Sequence, residues 1–192
     1  MTYLGIDIGS TCAKSVIMNK ERGILDTFVI PTGWSSLEAL KEIKEKLRIK
    51  GYNFEDMYCI STGYGRQAVE GAKKRVTEIT CHAKGASVLF GEDTFNIVDI
   101  GGQDTKVISC HKGKVMEFYM NDKCSAGTGK FLEIMANRLN VTLADLDRIA
   151  RDHTEQLQIS AMCTVFAESE IVSLIGQGTS KPNIAWGVLQ SV

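Results

Sequence analysis

A short pattern that occurs twice constrains the fold of this sequence more than any other feature. Residues 4–17 read LGIDIGSTCAKSVI, and residues 97–108 read IVDIGGQDTKVI. In each copy, Asp-Ile-Gly is followed by four residues and then by lysine, so that Asp7 corresponds to Asp99. Strand-forming residues flank the small residues on both sides, which predicts a β-hairpin with a glycine-rich tip in each copy. The repetition indicates that one structural unit is used twice.

The first half continues with alternating strands and helices. Ser35 and Glu38 have the spacing of a capping box, and Gly51 is placed to end the helix that they begin. The apolar face of that helix is predicted to contain Leu37, Leu40, Ile43 and Leu47. The other predicted elements are strands at 24–30, 57–61 and 75–80, and helices at 66–73 and 82–90. This order predicts an α/β fold with mixed sheets and helices against them.

The second half begins in the same way and then departs from the first. A third strand is predicted at 115–120, followed by helices near 128–140, 143–151, 164–176 and 183–192. The sequence predicts no strands that would correspond to 57–61 or 75–80. We therefore expect a first unit at 1–95 and a second unit at 96–192 that is truncated at its C-terminus, as in a shortened reading frame, a cloned fragment or a degraded gene product.

The two hairpin tips have the composition of phosphate-binding loops. Two such units facing each other would bring both tips to one cleft, where backbone N–H groups can approach an anion without an obstructing Cβ atom. Asp7 and Asp99 are candidate ligands for Mg²⁺, and Lys14 with Ser10 and Thr11 could donate to a triphosphate. Ordinary tight turns are the alternative, but two copies at the same offsets favour the phosphate site.

Two other glycine-rich segments only partly match known nucleotide motifs. Residues 126–131 read AGTGKF, but Cys124 and Phe131 occupy positions where a P-loop requires glycine and serine or threonine. Gly63 and Gly65 fit a loose dinucleotide-binding fingerprint, yet they do not lie in the first βα turn of the chain. We interpret these two as turn glycines.

Composition excludes several classes of protein. The formal net charge of −1 indicates no attraction to nucleic acid or to an anionic membrane surface. No apolar run approaches the roughly 20 residues of a membrane span, and the N-terminus lacks the basic start of a secretory signal, so a cytoplasmic protein is expected. The six cysteines are too scattered for a secreted disulfide scaffold.

Two of the six cysteines precede predicted helices. Cys124 and Cys163 are each followed by apolar residues at helical spacing, whereas Cys59 and Cys110 lie in apolar strands and are expected to be buried. The N-terminus of a helix favours a thiolate or another anion. Two thiolates are too few for a cubane cluster, which takes four, but two chains related by a two-fold axis would supply four. A pair of unrelated buried cysteines remains the alternative.

The two loops resemble the phosphate-1 and phosphate-2 loops of the superfamily that contains acetate kinase, sugar kinases, heat-shock ATPases and actin. That resemblance implies a duplicated ribonuclease-H-like, actin-like ATPase fold that binds ATP or ADP with Mg²⁺. Four further motifs, which extend the match to nearly the whole chain, resemble the activator component of 2-hydroxyacyl-CoA dehydratases and the related ATPases of benzoyl-CoA reductase. They are STGYGR (61–66), EITCHAKGA (78–86), NDKCSAGTGKFLE (121–133) and CTVFAESE (163–170).

The resemblance implies an anaerobic function in a homodimer. One [4Fe-4S] cluster would bridge the two chains through Cys124 and Cys163, and ATP hydrolysis would change the angle between the helices beside it. A single electron would then pass from ferredoxin or flavodoxin to a dehydratase or reductase component. In relatives, a glycine-rich loop that contacts adenosine lies in the part of the chain expected to be missing.

The residues expected to act on ATP lie in the two loops. The predicted ATP contacts are Gly9, Ser10, Thr11, Cys12, Ala13, Lys14, Gly101, Gly102, Gln103 and Asp104. Asp7 is expected to act through Mg²⁺. Gln103 or Asp104 would position the attacking water, although either residue could equally stabilise the loop. A small-molecule kinase of the same fold without iron, and a non-catalytic nucleotide-dependent scaffold, are the alternative functions.

Overall fold

The structure, a computed structural model, describes residues 1–121, 126–160 and 162–192. The chain forms two compact units. The first contains residues 1–97 and 108–117, and the second contains residues 98–107 and 118–192. Whether residues 1–95 and 96–192 fold as separate domains stays a prediction.

The first unit is built on a five-stranded mixed sheet. Its strands are β1 (Thr2–Ile8), β2 (Cys12–Met18), β3 (Ile24–Pro31), β4 (Met57–Thr62) and β5 (Lys74–Arg75). They lie in the order β3-β2-β1-β4-β5. Strand β1 pairs antiparallel with β2, as the hairpin prediction requires, and parallel with β4. The predicted hairpin and mixed sheet are therefore confirmed in this unit.

Helix α1 (Ser36–Ile49) covers one face of this sheet. The Ser35 side chain accepts a hydrogen bond from the Glu38 N–H, so the predicted cap is confirmed. The prediction for Leu37 is wrong, because its side chain is exposed outside the buried stripe of the helix. That stripe is formed by Ala39, Leu40, Ile43 and Leu47, which pack against Leu4, Ile6 and Ile8 of β1.

The segment after β4 differs from its prediction in two places. Instead of a helix at 66–73, the chain forms a short 3₁₀ helix at Tyr64–Ala68. Instead of a strand at 75–80, β5 ends at Arg75 and helix α2 (Glu78–Phe90) begins soon after it. The Thr77 hydroxyl caps this helix by accepting the Thr80 N–H. The cap outweighs the strand preference of the β-branched residues in this segment.

A second sheet contains three strands in the order β6-β7-β8. These are β6 (Thr94–Ile100), β7 (Thr105–His111) and β8 (Lys114–Asn121), and each has residues in both units. Within the first unit, Ile79 and Ala83 of α2 pack against Ile108 and Cys110 of β7.

Four helices form most of the second unit: α3 (Gly129–Arg138), α4 (Leu143–Ala150), α5 (Thr164–Gly176) and α6 (Lys181–Gln190). They surround an apolar core whose most deeply buried side chains include Phe131, Met135, Ala167, Ile171 and Ile184. In the described part of residues 118–192 no strand follows β8, as the sequence predicts. Across all the described segments, no helix is long and apolar enough to cross a membrane.

Candidate functional site

The first glycine-rich loop, residues 9–11, is held in shape by Thr32. The Gly9 N–H donates to the Cys12 carbonyl at 3.1 Å, which closes the turn between β1 and β2. The Thr32 N–H donates to the Thr11 carbonyl at 2.9 Å, and its hydroxyl donates to the Gly9 carbonyl at 2.7 Å. The loop is therefore fixed by a residue that belongs to no sequence motif and that sequence analysis missed.

Asp7 and Lys14 form an ion pair at the base of this loop. They face each other across β1 and β2, and the distance from Lys14 Nζ to Asp7 Oδ2 is 2.9 Å. The Lys14 side chain is 53% exposed and that of Asp7 is 27% exposed. Exposed ion pairs contribute little to stability, so either partner can turn to a ligand at small cost. Ser10 is also exposed, whereas the Ala13 side chain lies in the core, which leaves only its backbone for a ligand.

Two glycines of the STGYGR motif bring the backbone against the end of β1. A Cβ atom on Gly63 would overlap Asp7 Oδ1 and the Ile8 carbonyl. One on Gly65 would lie 2.5 Å from Ile8 Cγ2 and from Ser36 Oγ. The motif therefore supports Asp7 by close backbone packing. Its residues lead into a short 3₁₀ helix, whereas a dinucleotide-binding loop leads into an α-helix.

We expect Gly63→Ala to lower the free energy of unfolding by about 3 kcal/mol, because it adds the overlap with Asp7 to backbone strain at a φ of +85°. Gly51→Ala is the matched control, since Gly51 has a φ of +82° and open space around its Cα. We expect the control to cost about 1 kcal/mol. Denaturant unfolding measures both values. Equal losses of unfolding free energy in the two variants would show that the overlap with Asp7 does not contribute, and that glycine is required at position 63 by its backbone conformation.

The second loop closes in the same way but contains an additional carboxylate. The Gly101 N–H donates to the Asp104 carbonyl at 2.8 Å. Asp104 and Lys106 are buried, with 2.5 Å between Asp104 Oδ1 and Lys106 Nζ. Asp99 Oδ2 lies 3.5 Å from the same Nζ atom. Gln103 is exposed, so the two candidates for positioning water differ in environment.

The second loop is bonded directly to the start of α3. The N–H groups of Gly129 and Lys130 donate to the carbonyls of Gly101 and Gly102 at 3.0 and 2.9 Å. The first N–H groups of a helix have no partner inside the helix, so these bonds also satisfy the helix terminus. The Thr105 hydroxyl adds a bond to the Gly127 carbonyl at 3.3 Å. A displacement of the loop therefore acts on the first turn of α3.

Cys163 lies at the N-cap position of α5, as the sequence predicts. Its thiol is half-buried, and its backbone carbonyl accepts the Ala167 N–H at 3.0 Å. Cys124 lies outside the described residues; α3 has Thr128 as its N-cap. Within the described segments, no three His, Cys, Asp or Glu side chains are grouped as a metal site.

Cys59 and Cys110 are poor ligands, as expected. Both side chains are buried. Burial raises the pKa of the Cys59 thiol to about 11, with only partial compensation from the positive charges of Lys44 and Arg75. Burial likewise raises the pKa of the Cys110 thiol. Because thiolates rather than thiols bind iron, these two cysteines are structural.

Helix α5 has apolar side chains on two opposite sides, and its polar side chains, Glu168, Ser169, Glu170 and Ser173, lie among them. Ala167 and Ile171 face the core of the second unit. On the opposite side Val165, Phe166 and Val172 are exposed. Exposed apolar side chains that lie together on a helix are candidates for contact with another protein surface. The exposed side begins immediately after Cys163.

Residues 4–192 match the BadF/BadG/BcrA/BcrD ATPase family over almost the whole chain. The chain belongs to this family. The resemblance to this family is therefore confirmed. The two glycine-rich loops belong to a member of an ATPase family.

Two relatives of this ATPase family member are activators of dehydratases. The (R)-2-hydroxyglutaryl-CoA dehydratase activating ATPase of Acidaminococcus fermentans is 42% identical over 98% of this chain and 73% of its own. The activator of lactoyl-CoA dehydratase of Anaerotignum propionicum is 42% identical over all of this chain and 74% of its own. This chain thus spans about three quarters of their length.

A solved structure confirms the fold. The activator of 2-hydroxyisocaproyl-CoA dehydratase from Clostridium difficile, determined with bound ADPNP, matches with a TM-score of 0.90 at 37% identity. The match covers 100% of this chain and 72% of that one. The predicted α/β, actin-like ATPase fold is therefore correct for this family member.

Proposed function

We propose that this chain hydrolyses ATP to drive one-electron transfer to a 2-hydroxyacyl-CoA dehydratase or a related reductase component. The observation that carries the proposal is the pair of hydrogen bonds from the Gly129 and Lys130 N–H groups to the second loop. They join a candidate phosphate loop to the helix that follows Cys124. Relatives that activate three different dehydratases support the partner class but do not name the partner.

In this proposal both glycine-rich loops bind phosphate oxygens of ATP. Lys14 supplies an exposed positive charge, and Thr32 braces the loop whose N–H groups would bind phosphate. The carboxylates of Asp7 and Asp99 are 27% and 24% exposed, so both can reach a metal ion. Carboxylates with water and phosphate are the ligands that Mg²⁺ prefers, and these two would hold it.

Cys163 fits a role as a cluster ligand. It lies at the N-cap position of α5, and its half-buried thiol leaves one side open. Cys124 and Cys163 from each of two chains would hold a [4Fe-4S] cluster, which takes about four thiolates. When bound, that cluster supplies a site that accepts and releases a single electron.

The described residues form a continuous route from the second loop to Cys163. Phe131 and Met135 of α3 pack with Ala167 and Ile171 of α5 in one core. An ion pair between Arg138 and Glu168 also joins the two helices. Well-packed helices move as a body, so a change at the phosphate loop reaches the residues around Cys163. We infer that loss of a phosphate contact shifts this body between two positions.

The exposed side of α5 is the proposed dimer surface. Val165, Phe166 and Val172 lie on it, beginning next to Cys163. In a two-fold dimer the same surface meets itself, so a ligand beside the axis is duplicated across it. The cytoplasm as location, and ferredoxin or flavodoxin as electron donor, belong to this proposal. The kinase alternative is not favoured, because the named relatives are activators.

We expect Phe166→Asp to abolish the dimer and the iron together. Phe166 is 67% exposed in the single chain, and a carboxylate there would be buried against its symmetry mate. Wild-type protein purified without oxygen should be a dimer with about four irons. Phe90→Asp is the matched control, since Phe90 is 74% exposed on α2, and it should keep both properties.

Light scattering and iron analysis test this prediction on the same samples. A wild-type protein with ATPase activity but no iron would favour a kinase or a simple ATPase instead. A monomer of Phe166→Asp that retains all its iron would exclude a cluster shared between chains.

A further inference from the structure

The two lysines of the repeated pattern lie in opposite environments. Lys14 is largely exposed, and among the described residues it pairs with Asp7 at 2.9 Å. The side chain of Lys106 is 3% exposed and contacts two carboxylates, those of Asp99 and Asp104. Both copies of the repeat therefore have a lysine at this position, but the two lysines have different surroundings.

One substitution within the repeat explains this difference. Asp104 occupies the position that Cys12 has in the first copy. Side chains two residues apart on a strand point to the same face, so Asp104 and Lys106 both turn inward at the start of β7. A buried ammonium group requires opposite charges at close range, and the two carboxylates provide them. In the described part of the chain, the ion pair of the first copy contains a single carboxylate, that of Asp7.

The buried lysine lies beneath the loop rather than on its surface. Asp104 joins the loop to Lys106: its carbonyl accepts the Gly101 N–H, and its carboxylate contacts the Lys106 ammonium group in β7. Without Lys106, the carboxylates of Asp99 and Asp104 would repel each other at the end of the hairpin. The loop carbonyls that accept the first N–H groups of α3 would then lose their support.

We propose that Lys106 is a positioning residue: it acts as an internal counter-ion that holds Asp99 and Asp104 in place, while Lys14 alone of the two contacts phosphate. This assignment rests on the proposed ATP site for its functional part, but not for its structural part. It predicts that equivalent substitutions in the two copies have different consequences.

Lys106→Met and Lys14→Met, each made in the full chain, test whether the two lysines have these different roles. Without nucleotide, Lys106→Met should lower the melting temperature by more than about 10 °C, because it removes the ammonium group that contacts the buried Asp104 carboxylate and the partly exposed Asp99 carboxylate. Lys14→Met should change it by less than about 2 °C. At a temperature where both variants are folded, Lys106→Met should lower kcat for ATP hydrolysis at least about 100-fold with little change in KM, whereas Lys14→Met should raise KM about 10-fold.

Two further variants keep the test decisive if Lys106→Met does not fold. Lys106→Arg retains the positive charge and should recover most of the lost melting temperature. The double variant Lys106→Met with Asp104→Asn removes one charge of each sign and should melt above Lys106→Met alone. A double variant that melts no higher than the single one would show that Lys106 acts by packing rather than by charge.

The proposal fails if Lys106→Met melts like the wild type and raises KM as Lys14→Met does, because Lys106 would then be a phosphate ligand. An absence of ATP hydrolysis in the wild type would contradict the proposed function instead. In that case the melting temperatures of the four variants still decide whether Lys106 is the counter-ion.

Discussion

Cys163→Ala is expected to reduce the iron of anaerobically purified protein from about four atoms per dimer to below about one. The substitution removes one thiolate from each chain, and a cubane cluster cannot persist on the remaining ligands. Cys163 is at the N-cap of α5, and its half-buried thiol is accessible to a cluster. Iron and sulfide analysis with visible absorbance measures the loss.

Two controls separate ligand loss from loss of folding. Alanine is a poor N-cap, whereas serine is a preferred one, so Cys163→Ser should keep α5 intact while replacing sulfur with an oxygen that iron–sulfur clusters bind poorly. Cys81→Ala removes another half-buried thiol and should leave the iron unchanged. If Cys163→Ala keeps its iron, Cys163 is not a ligand and the proposed cluster site is wrong.

Gly101→Val is expected to weaken binding of Mg-ATP at least about 100-fold, equivalent to about 3 kcal/mol. A Cβ atom at this position would lie 2.6 Å from Asp104 Oδ1 and 3.0 Å from the Asp104 carbonyl. That carbonyl accepts the Gly101 N–H, so the loop cannot accommodate the side chain without opening. Asp104 would also be displaced from Lys106. Calorimetric titration with a non-hydrolysable ATP analogue and Mg²⁺ measures the affinity.

The control for this prediction is Gly85→Val. Gly85 lies within α2 and has open space around its Cα, so valine there should cost only helix propensity and leave nucleotide affinity unchanged. Unchanged affinity in Gly101→Val would refute the assignment of the second loop to phosphate. A reduced affinity with unchanged iron content would show that the loop and the cluster ligands fail independently.

The features that depend on local sequence patterns could be predicted without the structure. The doubled Asp-Ile-Gly pattern predicted the hairpins, Ser35 predicted the start of α1, and α5 occupies the predicted span from Thr164 to Gly176. Strand alternation, capping and turn residues act over a few positions, so they can be read along the chain. The strand predicted at 75–80 failed because its β-branched residues compete with a cap at Thr77.

The residues that support the candidate site became evident from the packing of the folded chain. Thr32 braces the first loop from 23 residues away, and Gly63 packs its backbone against Asp7. The tertiary structure also showed that Lys106 is buried between two carboxylates while Lys14 is exposed, although both follow the same motif. These contacts join residues far apart in the chain or depend on burial. No local pattern specifies them, because burial and distant contacts are properties of the packed molecule.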